Sequence, residues 1–253
     1  MIHSFLLVGQ SNMAGRGFLG EVEPINNDKI KVLRNGCFKP MYVPVNPDRV
    51  TSGINLAESF ADMYAKEKGV EVGLIPCADG GTSVDQWQEG ELLFDHACYM
   101  AELASRTSTI AGILWHQGEN DCRDELYPSY EPKLLKVIEA FKRRLNLYDV
   151  PFILGGLGDF LPEHPEIELY SWLNNYVYIN EKIKNVAAST EMVGFASAEG
   201  LTSNPDKVHF NSKSLREFGL RYYNEFKRLE KADKVFSEKQ SADNVLKSGF
   251  ENL

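Results

Sequence analysis

Four short segments of this chain carry the residue types that acyl transfer requires. Ser11 stands in "VGQSNMAG", Gly80 and Gly81 in "ADGGTSVDQW", Gln117 and Glu119 in "HQGENDC", and Asp206 and His209 in "NPDKVHFN". A serine hydroxyl becomes a nucleophile when a neutral imidazole takes its proton, and a carboxylate that fixes the imidazole tautomer completes the set. Asp206 and His209, three positions apart, supply that pair within one turn. The tetrahedral intermediate then needs donors at its oxyanion. The backbone N–H groups of Ser11 and Gly81 and the side-chain amide of Gln117 are of the right kind. Any one segment has a bland reading, because Gly, Ser and Asn are ordinary turn residues. Their coincidence is the signal.

The segments must be delivered to one place, and apolar runs ahead of them do this. Strand-like runs cover Ile2–Val8, "VEVGLIPCA", "IAGILWH", "VPFILGGLG" and "MVGFASA". Between them lie helical periodicities at "INLAESFADMYAKEKG", Leu92–Ser105, Ser129–Leu147, Glu168–Lys184 and Ser212–Leu229, the first with Gly69 as its stop. Alternating strands and helices predict a three-layer α/β/α architecture with a mostly parallel five-stranded sheet. Ligands of such sheets bind beyond the carboxyl ends of the strands, and that is where four of the five runs place small or polar residues. The stretch 17–52 holds Pro, Asn and Gly without clear periodicity, and long loops of that kind are more often functional or partner-facing than structural. One domain is expected over 1–230, with a polar, weakly helical tail over 231–253.

Composition bounds the function. The chain has 253 residues, of which 43% are apolar and 25% charged, the usage of a soluble globular domain. Its formal net charge of −9 argues against nucleic acid or an anionic membrane as partner, since phosphate binding needs clustered Lys and Arg. No apolar run reaches the roughly eighteen residues that span a bilayer. Met1-Ile2-His3 runs directly into the first strand without a leader pattern, so a cytoplasmic location is expected, although a mature secreted chain would read the same way. Cys37, Cys77, Cys98 and Cys122 form no CxxC pair and read as reduced thiols. His116, Glu119 and Asp121 are metal-ligand types, but no second histidine falls at zinc spacing. No metal or organic cofactor is expected. His3, His96 and His164 are expected at the surface, and Asp121 as a cap.

"GQSNMAG", "GGTSVDQW", "HQGEND" and "DKVH" resemble, in order, the motif blocks of the SGNH hydrolases. They are most similar to the sialate O-acetylesterase-like group that includes carbohydrate esterase family six, the acetyl xylan esterases. The resemblance spans Ile2 to Leu229 and implies a flavodoxin-like SGNH fold. It implies Ser11 as nucleophile, His209 as general base and Asp206 as the residue orienting it. The oxyanion hole would comprise Ser11, Gly81 and Gln117, with Gln10, Asn12, Gly80, Thr82 and Trp87 against substrate. Trp87 reads equally as a sugar platform or a core ring, and Gln117 alternatively satisfies buried backbone groups.

Two departures bear on roles. The SGNH pattern has Gly and Asn as oxyanion donors in its second and third blocks, whereas the third block here offers Gln117. In some relatives the glutamate of HQGE takes the third triad place, which makes Glu119 a rival to Asp206. The chain also lacks the second glycine of G-x-S-x-G, against an α/β-hydrolase fold. The implied activity is hydrolysis of O-acetyl esters on carbohydrate through an acyl-serine, with acetylated xylo-oligosaccharide and O-acetyl sialic acid as the substrate classes. Rival readings are a broader small-ester hydrolase or acyltransferase with the same triad, and a non-catalytic carbohydrate-binding descendant. Oligomeric state is left open.

Overall fold

The computed structural model describes residues 1–230; the polar tail read over 231–253 lies outside them. The elements run β1 (Ile2–Gly9), α1 (Ser11–Ala14), β2 (Ile30–Arg34), β3 (Cys37–Pro40), α2 (Leu56–Lys68), β4 (Glu71–Pro76), α3 (Leu92–Ala104), β5 (Ser108–His116), α4 (Tyr130–Leu145), β6 (Phe152–Gly155), α5 (Tyr176–Ser189), β7 (Val193–Ala196) and a last helix α6 over 212–230. The strands form one sheet in the order β3-β2-β4-β1-β5-β6-β7. Every pairing is parallel except β2 with β3. The sheet therefore has seven strands where five are expected. The two additional strands come from the 17–52 stretch, which forms an edge hairpin turning at Asn35 and Gly36, both with positive φ. β3 is mostly exposed and only four residues long, so no hydrophobic alternation announces it.

Helices cover both faces. Phe5 of β1 meets Phe60 and Tyr64 of α2 and Phe226 of α6 edge to face, with ring centroids 4.8, 4.8 and 5.6 Å away. On the other face Phe94 of α3 contacts Phe141 of α4, which in turn touches Phe152 of β6. Such pairs add about 0.5–1.5 kcal/mol each beyond their area burial. α2 begins at a capping box, in which the Asn55 side chain accepts from the helix backbone and Glu58 reaches back to the Asn55 N–H. It ends at Gly69 in the left-handed conformation, the stop its sequence implies. α5 starts at Tyr176 rather than near Glu168, because Ser171–Asn175 wind as a 3-10 turn. No helix among the described residues is long and apolar enough to cross a membrane.

β1 lies between β4 and β5 at the centre of the sheet, so the segments that follow these three strands emerge side by side. At Gly9 (φ +125°) a Cβ would sit 2.1 Å from the His116 carbonyl oxygen. Only glycine lets β1 end this close to β5 and hand its chain to the one-turn helix that starts at Ser11.

Candidate active site

Ser11 follows the buried end of β1 and is itself 6% exposed. His209 arrives from the loop between β7 and α6, and its Nε2 lies 2.9 Å from Ser11 Oγ. Its Nδ1 lies 2.7 Å from Asp206 Oδ2. Asp206 Oδ1 accepts the Val208 and His209 N–H groups, both at 2.9 Å, so the carboxylate closes the turn and orients the ring together. Burial pushes the Asp206 carboxyl up, but the bonds from the His209 side chain and from the His209 and Val208 backbone outweigh it and hold it down at about 2. The carboxylate is thus ionised wherever an imidazole base is neutral.

The backbone N–H groups of Ser11 and Gly81 have no acceptor among the described residues. Gly81 sits in the left-handed region at φ +78°, which turns its N–H out of the chain's own hydrogen bonding. The turn that carries it is pinned from behind. Asp48 accepts the Gly80 N–H at 2.8 Å and pairs with both terminal nitrogens of the buried Arg16, at 2.9 and 2.7 Å. Asp48 comes from the 17–52 stretch, which in this way supports the site.

Gln117 is not placed as an oxyanion donor. Its side chain is fully buried, and its amide nitrogen already faces Gln10 Oε1 (3.1 Å), the Thr82 carbonyl (2.9 Å) and Asp121 Oδ2. An NH2 group has two hydrogens, and three acceptors claim them. Gln117 instead ties three strand ends together, while Asp121 also accepts from Val84 N–H at 3.0 Å. Asp121, expected as a cap, thus accepts the first N–H of the 3-10 turn Val84–Trp87 from a fully buried position. Asn120, two residues after Gly118, lines the cleft, and its side chain has no partner among the described residues. Its signal was present as the spacing Gly118-x-Asn120-Asp121, which puts an asparagine in the third block.

Other expected positions separate in the same way. Glu119 does not touch His209. Its Oε1 accepts from Asn12 Nδ2 (2.5 Å) and faces His116 Nε2 (3.0 Å). Burial pushes its carboxyl up, yet His116 and these bonds prevail and hold it below the ordinary range. Asn12, Thr82 and Trp87, expected against substrate, are buried and are not among the residues that line the cleft. Trp87 packs edge-on against Trp115, 5.5 Å between centroids, and donates to Thr82 Oγ1; it is a core ring and not a sugar platform. Gln10 and Gly80 do line the cleft. Gln10 Oε1 also accepts from the Gly118 N–H, and its amide nitrogen has no partner among the described residues.

The cleft over Ser11 has a volume of about 440 Å³. Beside the residues above, its wall includes Arg49, Thr51, Arg123, His164, Tyr170 and Trp172, none of which the sequence reading assigned to the site. His164, expected at the surface, stands at the cleft edge with its ring edge-on to Tyr170. Arg123 lies over the Trp172 ring at 5.0 Å, and its guanidinium has no hydrogen-bond or ion-pair partner among the described residues. Arg49, by contrast, is engaged with Asp79 and the Gly80 carbonyl. The arrangement sets a serine hydroxyl, an imidazole, a carboxylate and free N–H donors around one opening, the group types that acyl transfer uses.

Comparison with known proteins agrees with this chemistry. Residues 1–228 match the profile of a family described as carbohydrate esterase, sialic acid-specific acetylesterase. A probable carbohydrate esterase of Arabidopsis thaliana, At4g34215, is 26% identical over 243 residues, covering 85% of this chain and 86% of the plant protein. Its X-ray structure superposes with a TM-score of 0.78 at 23% identity, covering 89% of this chain and 98% of that one. NanS superposes at 0.71 with 16% identity, covering 91% and 98%. XAC1771, a carbohydrate acetylesterase from Xanthomonas citri, does so at 0.65 with 19% identity, covering 87% of this chain and 55% of that one. At these identities the structural likenesses show a shared fold, the α/β sheet with helices on both faces, and no more. The family match carries the rest: this chain belongs to the carbohydrate esterase, sialic acid-specific acetylesterase family and is a carboxylic ester hydrolase.

Proposed function

We propose that the enzyme removes O-acetyl groups from carbohydrate through an acyl-serine intermediate. Ser11 Oγ attacks the ester carbonyl while His209 Nε2 takes its proton. The Ser11 and Gly81 N–H groups, with the Asn120 amide beside them, receive the oxyanion. Collapse breaks the bond to the sugar oxygen, which leaves with the proton held by His209. Water, deprotonated by the same imidazole, then attacks the acetyl-serine; the bond to Ser11 Oγ breaks, His209 returns the proton to that oxygen, and acetate leaves. The observation that carries this reading is the unbroken Ser11–His209–Asp206 chain at 2.9 and 2.7 Å opening on a cleft with aromatic walls.

Between the two sugar classes, Arg123 favours the acid. Stacking on Trp172 uses the face of its guanidinium and leaves the N–H edge for a carboxylate such as that of O-acetyl sialic acid. The test is acetate release from O-acetyl sialic acid, acetylated xylo-oligosaccharides and short aryl esters, with and without an alcohol acceptor. Ser11→Ala is expected to reduce all turnover to near zero. Arg123→Gln is expected to raise KM for the acidic sugar and leave the neutral ones unchanged. Equal efficiency on aryl esters and sugars would favour a broad esterase, and ester formation on the alcohol would favour an acyltransferase.

A further inference from the structure

The residue after the nucleophile grips the loop that carries the base. Asn12 is fully buried. Its Oδ1 accepts the Phe210 N–H at 3.1 Å, and its Nδ2 donates to the Val208 carbonyl at 3.1 Å. These two peptide groups flank His209 on either side. The remaining hydrogen of Nδ2 goes to Glu119 Oε1 at 2.5 Å. The orientation of this amide is forced: reversing it would set an oxygen against the Val208 carbonyl and the Glu119 carboxylate, and an NH2 against the Phe210 N–H. Glu119 is held in turn by His116 Nε2 at 3.0 Å. His116 is fully buried between the edges of Phe210 and Phe218, with the Tyr222 hydroxyl 3.4 Å from its other nitrogen.

We propose that Asn12 and Glu119 are positioning residues, with Glu119 fixing the Asn12 amide and Asn12 setting the distance from His209 to Ser11. The proposal rests on His209 being the base. It assigns the HQGE glutamate a task at one remove from the imidazole. Asp206 and His209 are bonded within their own turn, so loosening the Asn12 grip displaces both together. The base then keeps its carboxylate but loses its aim at Ser11. Displacement of about 1 Å is enough to cost about 10²-fold in rate.

The test measures kcat, KM and the acid limb of the pH profile on 4-nitrophenyl acetate, a substrate too small to report sugar contacts. Variants are Asn12→Ala, Asn12→Asp, Glu119→Ala, Glu119→Gln, the double Asn12→Asp/Glu119→Gln, Asp206→Asn and His209→Ala. Asn12→Ala and Glu119→Ala are expected to lose about 10²-fold in kcat, with KM and the midpoint of the acid limb unchanged. Glu119→Gln, whose carbonyl still accepts from Asn12 and His116, is expected to stay within about tenfold of wild type. Asn12→Asp keeps the shape of the side chain but sets an oxygen against both the Glu119 carboxylate and the Val208 carbonyl. Adding Glu119→Gln removes the first of these repulsions and is expected to recover part of the lost activity, a coupling between the two positions. A loss in Glu119→Gln as deep as in Asp206→Asn, with a displaced acid limb, would overturn the proposal and put Glu119 on the imidazole itself. Near-wild-type kcat in Asn12→Ala and Glu119→Ala would overturn it too. Full activity in His209→Ala would instead remove the reading on which it rests.

Discussion

At the scale of single residues, function depends on which polar atoms are already spent. Asp206 has one oxygen on the His209 ring and the other on its own turn. Asp206→Asn should therefore fold but lose about 10⁴-fold in kcat by disturbing the imidazole tautomer, measurable as acetate release at saturating substrate. Asn120 and Gln117 part company in the same terms. Asn120→Ala is expected to lower kcat by about 10²–10³-fold at constant KM, as an oxyanion donor does. Gln117→Ala removes a donor that three buried acceptors share, so its main effect is expected on stability, read as a lower Tm. The meeting of Ser11, Asp206 and His209 was legible in the sequence because it follows from residue type and short spacing. The inward turn of Gln117, Thr82 and Trp87 was not legible, because a motif shows which residues are near the site but not which way a buried side chain turns. Glu119 stayed ambiguous for that reason, since its partner Asn12 lies 107 positions away in the chain.

At the scale of elements, the sheet brings three adjacent strand ends together and the loops are tied down behind them. Strands β1, β4 and β5 and helices α2, α3, α4 and α6 follow hydrophobic runs long enough to read. β3 escaped because an exposed edge strand has no buried face to pattern it, and β2 because its buried residues Ile30, Val32 and Leu33 make only a short run, although the Asn35-Gly36 turn between them is a hairpin signal. The late start of α5 escaped because the approach to it, 168–175, carries helix-compatible residues that are drawn into turns around Tyr170 and Trp172. The 17–52 stretch gives the site Asp48, which holds both Arg16 and the Gly80 N–H. Asp48→Ala leaves a guanidinium buried without its partner and is expected to cost about 3–5 kcal/mol of stability in denaturant unfolding. It should also lower kcat, because the turn that presents Gly81 N–H is released.

At the scale of the whole molecule, two carboxylates give stability opposite pH dependences. Asp206 is depressed to about 2; its contribution is present above its unfolded value of about 3.9 and is lost as pH falls through about 2. Asp121 is raised to about 6, chiefly by burial; its contribution is complete below about 3.9 and is lost as pH rises through about 6. Asp121→Asn keeps an oxygen for Gln117 and Val84, so the fall in Tm from pH 4.5 to pH 7.5 should be smaller in the variant than in wild type. Around these groups the fold is organised to present one hydroxyl. The most direct measurement is covalent labelling of the intact enzyme with a phosphonate or sulfonyl fluoride, located by peptide mass spectrometry alongside loss of acetylesterase activity. Stoichiometric modification of Ser11, parallel with inactivation and absent in His209→Ala, is the predicted result. Modification of a different serine that tracks inactivation, or full activity in Ser11→Ala, would contradict the account.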